Sequence, residues 1–271
     1  LTLKLIDCFS GIGGFSLAAE QIVGGFETIQ FVECDLYAQK ILKKHWPNVP
    51  IHDDIRTYQP EPYSASVVVG GFPCQDISTG GQGQGITKET RSGLFYELMR
   101  VIRLVRPRFV VLENVAAILN NGLGIVLGEL ASAGFDCEYA CIPASALGAC
   151  HERDRFWLVA ADSEYFGLSR AKETKSNEQI SKTTTREKIT VKSQGSSKSL
   201  FGENFSRITR KWESTSSMLN PNWRRYESEC VIRRRNDGVS NRMERIRCLG
   251  NSVVPQVAAI PLQRVLNLAN E

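Results

Sequence analysis

The sequence predicts an α/β fold: a mostly parallel, doubly wound sheet covered by helices, with a small, irregular, basic region attached. Three observations predict it. Short apolar runs alternate with amphipathic stretches from residue 3 to about residue 162, the rhythm of βαβ units. At 271 residues the chain can bury a sizeable core in one large domain. Its charge is unevenly spread: residues 163–247 hold 19 Lys+Arg against 10 Asp+Glu, or +9, and the remainder carries −5 towards a total of +4.

The elements follow in order. Apolar, β-branched runs at residues 3–6, 28–33, 66–70, 109–113, 138–142 and 156–161 read as buried strands. Between them, residues 15–23, 37–45, 94–105 and 125–133 place apolar side chains three and four apart, as helices lying on a sheet do. After Asp162 this pattern gives way to a Ser/Thr/Lys-rich tract with few apolar residues, and residues 170–200 read as a disordered insertion. Aromatic residues then return, with Phe201, Phe205, Trp212, Trp223 and Tyr226 interleaved with Arg207, Arg210, Lys211, Arg224 and Arg225. Residues 253–268 resume a helical period that Pro255 and Pro261 interrupt. The expected division is therefore 1–162, 163–240 and 241–271.

Composition narrows the setting. Eight cysteines, at 8, 34, 74, 137, 141, 150, 230 and 248, form no CxxC pair or dense framework, which predicts a reducing, cytoplasmic environment and no metal site. The apolar runs are too short to cross a bilayer. A basic stretch beside an acidic body suits a polyanion such as nucleic acid, and it equally suits a solvated loop.

Four constellations carry chemistry. Asp7-Cys8-Phe9-Ser10-Gly11-Ile12-Gly13-Gly14-Phe15 joins a strand to a helix, where glycines let backbone N–H groups approach a ligand. A tight turn would explain it equally well. Glu33, at the end of the second strand, can accept from a ribose diol, and Asp54, beyond the next element, from an adenine amino group. In Val69-Gly70-Gly71-Phe72-Pro73-Cys74-Gln75 a thiol follows a buried strand; standing alone, it would read as a small buried hydrophobe. Glu113-Asn114-Val115 brings a carboxyl group to the same rim, and Arg153 and Arg155 in His151-Glu152-Arg153-Asp154-Arg155 bring guanidinium groups. An ion-pair cluster with Glu152 and Asp154 is the competing reading of those arginines.

Taken in order, the glycine motif, Glu33, Asp54, GFPCQ, ENV, the RxR element and a terminal Gly250-Asn251-Ser252-Val253-Val254 resemble the bacterial and phage DNA cytosine-5 methyltransferases. The match runs from residue 5 to about 160 and from about 238 to 262. The resemblance implies a fold of the S-adenosylmethionine-dependent methyltransferase type and methyl transfer to C5 of a cytosine flipped out of double-stranded DNA. It makes Cys74 the nucleophile that adds to C6 and Glu113 the group that holds N3 and the exocyclic amine. Arg155 would hold the base carbonyl oxygen, and Arg153 would order the rim and lower the thiol pKa. The implied donor site comprises Phe9, Gly11, Ile12, Gly13, Gly14, Glu33, Asp54, Pro73, Leu94, Asn251, Ser252 and Val253. Residues 78–92 become a loop that closes over the base, and the last helix packs beside the first strand.

The resemblance also makes residues 163–240 a target-recognition region and implies a monomer working in a bacterial or phage-infected cell, where a cognate restriction endonuclease as partner, a solitary modifier's role and phage self-protection all fit. His151 and Cys34 depart from residues common at those family positions, and neither departure removes an essential group. Rival readings are an RNA cytosine-5 methyltransferase, which would share the motifs, and an inactive DNA-binding relative, which loss of Cys74 or Glu113 would have marked. A nicotinamide dehydrogenase fits the glycine motif alone and lacks a use for GFPCQ and ENV.

Overall fold

A computed structural model describes residues 2–73, 93–164 and 242–270. Seven strands form one sheet: β1 (Leu3–Cys8), β2 (Phe26–Val32), β3 (Ile51–His52), β4 (Val67–Gly71), β5 (Phe109–Val115), β6 (Phe135–Pro143) and β7 (Asp154–Asp162). Their order across the sheet is β3-β2-β1-β4-β5-β7-β6. The first five pair in parallel, and β7 runs antiparallel to both β5 and β6. All six expected strands are present, within a few residues of their expected bounds. The two-residue β3 was not anticipated, because Ile51-His52 is too short to show a period.

The mostly parallel sheet needs cover on both faces, and period-2 alternation supplies two cores. Leu3, Leu5, Val67, Val69, Phe109, Val111, Trp157, Val159 and Ala161 face one layer. Their neighbours Ile6, Cys8, Val68, Val110, Leu112, Phe156, Leu158 and Ala160 face the other. On the first face lie α1 (Gly14–Leu17), continued by a π-helical turn (Ala18–Val23), and the C-terminal helix α6 (Pro255–Asn270). The second face is covered by α3 (Leu94–Val105) and α4 (Leu123–Ser132). Trp157, Phe95, Phe109 and Phe156 are fully enclosed, each burial contributing about 1.5–3 kcal/mol.

Local chemistry sets the helix ends. Asp35 caps α2 (Leu36–His45) by accepting from the Tyr37 and Ala38 N–H groups, and Lys43, Lys44 and His45 sit at its negative end. The apolar period at the C-terminus is not broken where the sequence suggested. Pro255 opens α6, at the position where a fixed φ and a missing N–H cost nothing, and only Pro261 lies within it, buried in the core. A preceding helix, α5 (Arg242–Asn251), escaped the sequence reading because its Arg-rich composition gives no strong apolar stripe.

The strand order reverses between β1 and β4, each of which continues outward to its own neighbours. Crevices form outside the carboxyl ends of strands at such a switch point. The glycine motif leaves β1 there, and Phe72-Pro73 leaves β4 beside it. The expected nucleophile Cys74, the loop 78–92 and, apart from Ser163 and Glu164, the region 163–240 lie outside the described residues.

Candidate active site

The glycine motif wraps the end of β1 in left-handed backbone, with φ +55° at Phe9, +53° at Gly11 and +85° at Gly13. Phe9 is the residue without glycine's freedom here, and its partly buried ring packs against the second core. Glu33 fixes the loop: its Oε2 accepts from Gly11 N at 2.7 Å and its Oε1 from Asp35 N at 2.8 Å. Burial pushes the Glu33 carboxyl upwards, against the pull of those N–H groups. Gly13 and Gly14 answer a packing demand. A Cβ on Gly13 would come within 2.6 Å of the Trp46 ring, and one on Gly14 within 2.6 Å of the Val253 side chain. The motif is thus pressed between α2 on one side and the C-terminal link on the other.

Other residues of the expected donor site are dispersed around this loop. Leu94 opens α3 and is half-buried against the second core, and Pro73 follows β4. Asn251 ends α5, with Ser252 and Val253 in the link to α6. Asp54 is already engaged, because Arg56 grips its carboxylate with Nε and Nη2 at 2.8–3.0 Å and lowers its pKa. The Asp54 carboxylate is part-exposed and its arginine largely so, which makes the pair an easily exchanged one.

On the other side of the switch point, Glu113 lies within β5, in register with Gly71 of β4 and Trp157 of β7. A Cβ on Gly71 would sit 3.2 Å from Glu113 Oε2, so the strand end that leads to Cys74 runs directly past this carboxyl group. Asn114 secures that approach by donating from Nδ2 to the Phe72 carbonyl at 3.1 Å. Glu113 is buried, and desolvation raises its pKa to about 7, although Arg155 and Arg153 pull it down. Arg155 Nε is 3.1 Å from Glu113 Oε1. Arg153 turns elsewhere and donates to the carbonyls of Gly250 and Ser252. Arg155 thus pairs with the buried Glu113, and Arg153 with main-chain carbonyls of the C-terminal segment.

A cleft of about 740 Å³ opens between these parts. Its described walls include Ile12, Gly14, Ser252 and Val253 of the expected donor set together with His151, Arg153 and Arg155. The other expected donor residues, Phe9, Gly11, Gly13, Glu33, Asp54, Pro73, Leu94 and Asn251, are not among them.

Three features escaped the sequence reading. Asp7 is fully buried at the end of β1, where Ser16 Oγ donates to its Oδ2 at 2.8 Å and Oδ1 has no hydrogen-bond partner among the described residues. Burial raises its pKa to about 8. A carboxyl group closing an apolar strand was the available signal. Asp35, the cap of α2, pairs with Arg247 of α5 at 2.5 Å. Trp46 donates from Nε1 to Glu20 at 2.7 Å while its ring fills the space beneath Gly13. Neither long-range contact has a local sequence signature.

Comparison with known proteins identifies the family. The family model of C-5 cytosine-specific DNA methylases matches residues 3–246. Type II methyltransferase M2.BsuMI of Bacillus subtilis is 35% identical over 167 residues, covering 59% of this chain and 42% of that protein. Type II methyltransferase M.HhaI of Haemophilus parahaemolyticus is 28% identical over 161 residues, covering 58% of this chain and 48% of that protein. The chain thus spans about half the length of the curated relatives it matches. Among solved structures, the S. pombe Dnmt2 methyltransferase aligns with a TM-score of 0.60 at 15% identity over 99% of this chain and 100% of its own. A protein described as a DNA modification methyltransferase encoded within an E. coli prophage aligns with a TM-score of 0.60 at 19% identity over the whole of both chains. At such identities these structures speak for the methyltransferase fold alone. With the greater part of its length matched by the family model, this chain belongs to the C-5 cytosine-specific DNA methylase family.

Proposed function

We propose that the chain methylates C5 of a cytosine flipped out of specific double-stranded DNA sites, through a covalent bond between Cys74 Sγ and C6. The observation that carries this reading is Glu113: a buried carboxyl group with a pKa of about 7, paired with Arg155 and bordering the strand end that leads to Cys74.

The chemistry follows from the base. C5 of cytosine is too weak a nucleophile to take a methyl group directly. Addition of the Cys74 thiolate to C6 places an electron pair at C5. A carboxyl group poised near neutrality can share a proton with N3 as that charge develops, and Glu113 has the burial to do so. Arg155 steadies the base carbonyl oxygen electrostatically while paired with Glu113. After methylation the C5 proton leaves, the C5–C6 double bond re-forms and the Cys74 thiolate departs, so the enzyme is regenerated.

The glycine loop fits S-adenosylmethionine as donor. Open space lies beyond Gly11, where a side chain would otherwise stand, and the Glu33 carboxyl beside it, which accepts from the Gly11 and Asp35 N–H groups, can also accept from a hydroxyl donor. Phe9, Gly11, Ile12, Gly13, Gly14, Glu33, Pro73, Leu94, Asn251, Ser252 and Val253 would hold it, with Asp54 reached by exchange of its Arg56 partner. When bound, it supplies the methyl group.

Residues 163–240 form the target-recognition region in this reading, their Lys and Arg on phosphates and a few polar side chains on base edges. The relatives named as type II methyltransferases support a place beside a restriction endonuclease. Incubation with S-adenosylmethionine and mixed-sequence DNA containing 5-fluorocytosine tests the reaction, because elimination is then blocked. A covalent complex that survives denaturation, and is absent with Cys74→Ser, is the expected result; equal complex from the variant would overturn the assignment. Sequencing the trapped DNA identifies the target.

A further inference from the structure

Arg153 and Arg155 are two residues apart at the start of β7 and do different work. Arg155 reaches Glu113. Arg153 stands just before the strand with φ +35°, a strained conformation for a residue that carries a side chain. From there Nη1 donates to the Gly250 carbonyl at 2.9 Å and Nη2 to the Ser252 carbonyl at 2.5 Å. Those two carbonyls flank Asn251, the last residue of α5.

A helix leaves its final carbonyls without intrahelical donors, and a cation there also meets the negative end of the helix dipole. The last turn of α5 contains no basic residue of its own. Arg153 supplies that charge from 97 residues away in sequence. The held link is not a free connector, since Val253 touches the start of α1 closely enough to exclude any side chain at Gly14. The Arg247–Asp35 pair ties the same helix to the cap of α2, beside the Glu33 carboxylate.

We propose that Arg153 is a positioning residue of the donor side, a clasp that holds the main chain on either side of Asn251 against the glycine loop. By this division Arg155 serves the base and Arg153 sets the shape of the donor pocket. Both sides of the reaction are then pinned to one short segment ahead of β7. The idea rests on the proposed use of S-adenosylmethionine for its functional consequence, but the clasp itself is a property of the ligand-free chain.

The test uses the full chain with Arg153→Met and Arg153→Lys, after circular dichroism confirms folding. Lysine keeps the charge and much of the volume but cannot bridge two carbonyls with a planar fork. Amide hydrogen exchange without ligand reads the clasp, and calorimetry with S-adenosylmethionine reads donor binding. Both variants should speed exchange at residues 250–254 by about tenfold and weaken donor binding by about tenfold. In turnover, KM for the donor should rise by a larger factor than kcat falls. Unchanged exchange in both variants, or full restoration of exchange and affinity by lysine, would overturn the clasp. If the wild-type chain binds no S-adenosylmethionine, the proposed donor fails, and the exchange measurement still decides the clasp.

Discussion

Glu113→Gln should make the protein more stable at alkaline pH than at acid pH relative to the wild type. The Glu113 carboxyl is raised from an ordinary 4.5 to about 7 because burial penalises its charged form more than Arg155 and Arg153 reward it. At about 1.4 kcal/mol per tenfold change, ionising it in the folded chain costs about 3 kcal/mol more than in the unfolded chain. The folded pKa exceeds the unfolded one, so the contribution to stability is fully present below 4.5 and is lost as pH rises through 7. Glutamine fills nearly the same space and never ionises. The stability difference, variant minus wild type, should therefore grow by about 2–3 kcal/mol between pH 5 and pH 8. Urea denaturation of both proteins at the two pH values measures this directly, and titrating groups common to both cancel. A difference that is the same at both pH values, or that shrinks on going to pH 8, would refute the reasoning. The same substitution should lower the methylation rate by about 10²–10⁴, the range expected for removing a proton-sharing group.

Asp7→Asn should flatten the pH dependence in the same way. The raised wild-type group contributes stability at acid pH that disappears as pH rises through about 8, so between pH 6 and pH 9 the wild type should lose about 2–3 kcal/mol more than the variant in urea melts. Gly13→Ala should destabilise the fold by about 1–3 kcal/mol, since it combines a left-handed φ with a collision against Trp46; thermal and urea melts measure it. Gly14→Ala should instead displace the C-terminal link, with the added Cβ 2.6 Å from Val253 and 3.1 Å from Ser252 Oγ. Its readouts are faster amide exchange at residues 252–254 and about tenfold weaker donor binding by calorimetry.

The layered core was legible because its physics is local and repetitive. Alternation along β4 in Val67-Val68-Val69 distributes side chains between two faces, and the residues alone announce it. The antiparallel insertion of β7 between β5 and β6 was not legible, because nothing in 156–161 records strand direction. Glu113 fell at the end of an expected strand, yet its register against Gly71 and Trp157, which are distant in sequence, was not legible. Asp54 shows the opposite limit. Its position near the end of the element after β2 suggested a ligand, and its carboxylate is gripped by Arg56, only two residues away. The Arg153 contacts span almost a hundred residues and left no trace in spacing or period.

The buried acids explain why such a site belongs at this sheet edge. Asp7 is the penultimate residue of β1, Glu33 follows β2 and Glu113 lies near the end of β5. Burial raises all three, so each costs stability when ionised. Each carboxyl group also fastens a neighbouring element: Asp7 holds Ser16 of α1, Glu33 holds the glycine loop and the start of α2, and Glu113 holds Arg155. A purely apolar rim would pack more favourably and would offer neither an acceptor to a diol nor a proton to a ring nitrogen. The closing helix α6 offsets this cost, because Val257, Ile260, Leu262 and Val265 join Leu3 and Leu5 in the first core. The C-terminal segment therefore serves twice, stabilising the sheet through its helix and shaping the cleft through the link that Arg153 and Gly14 hold.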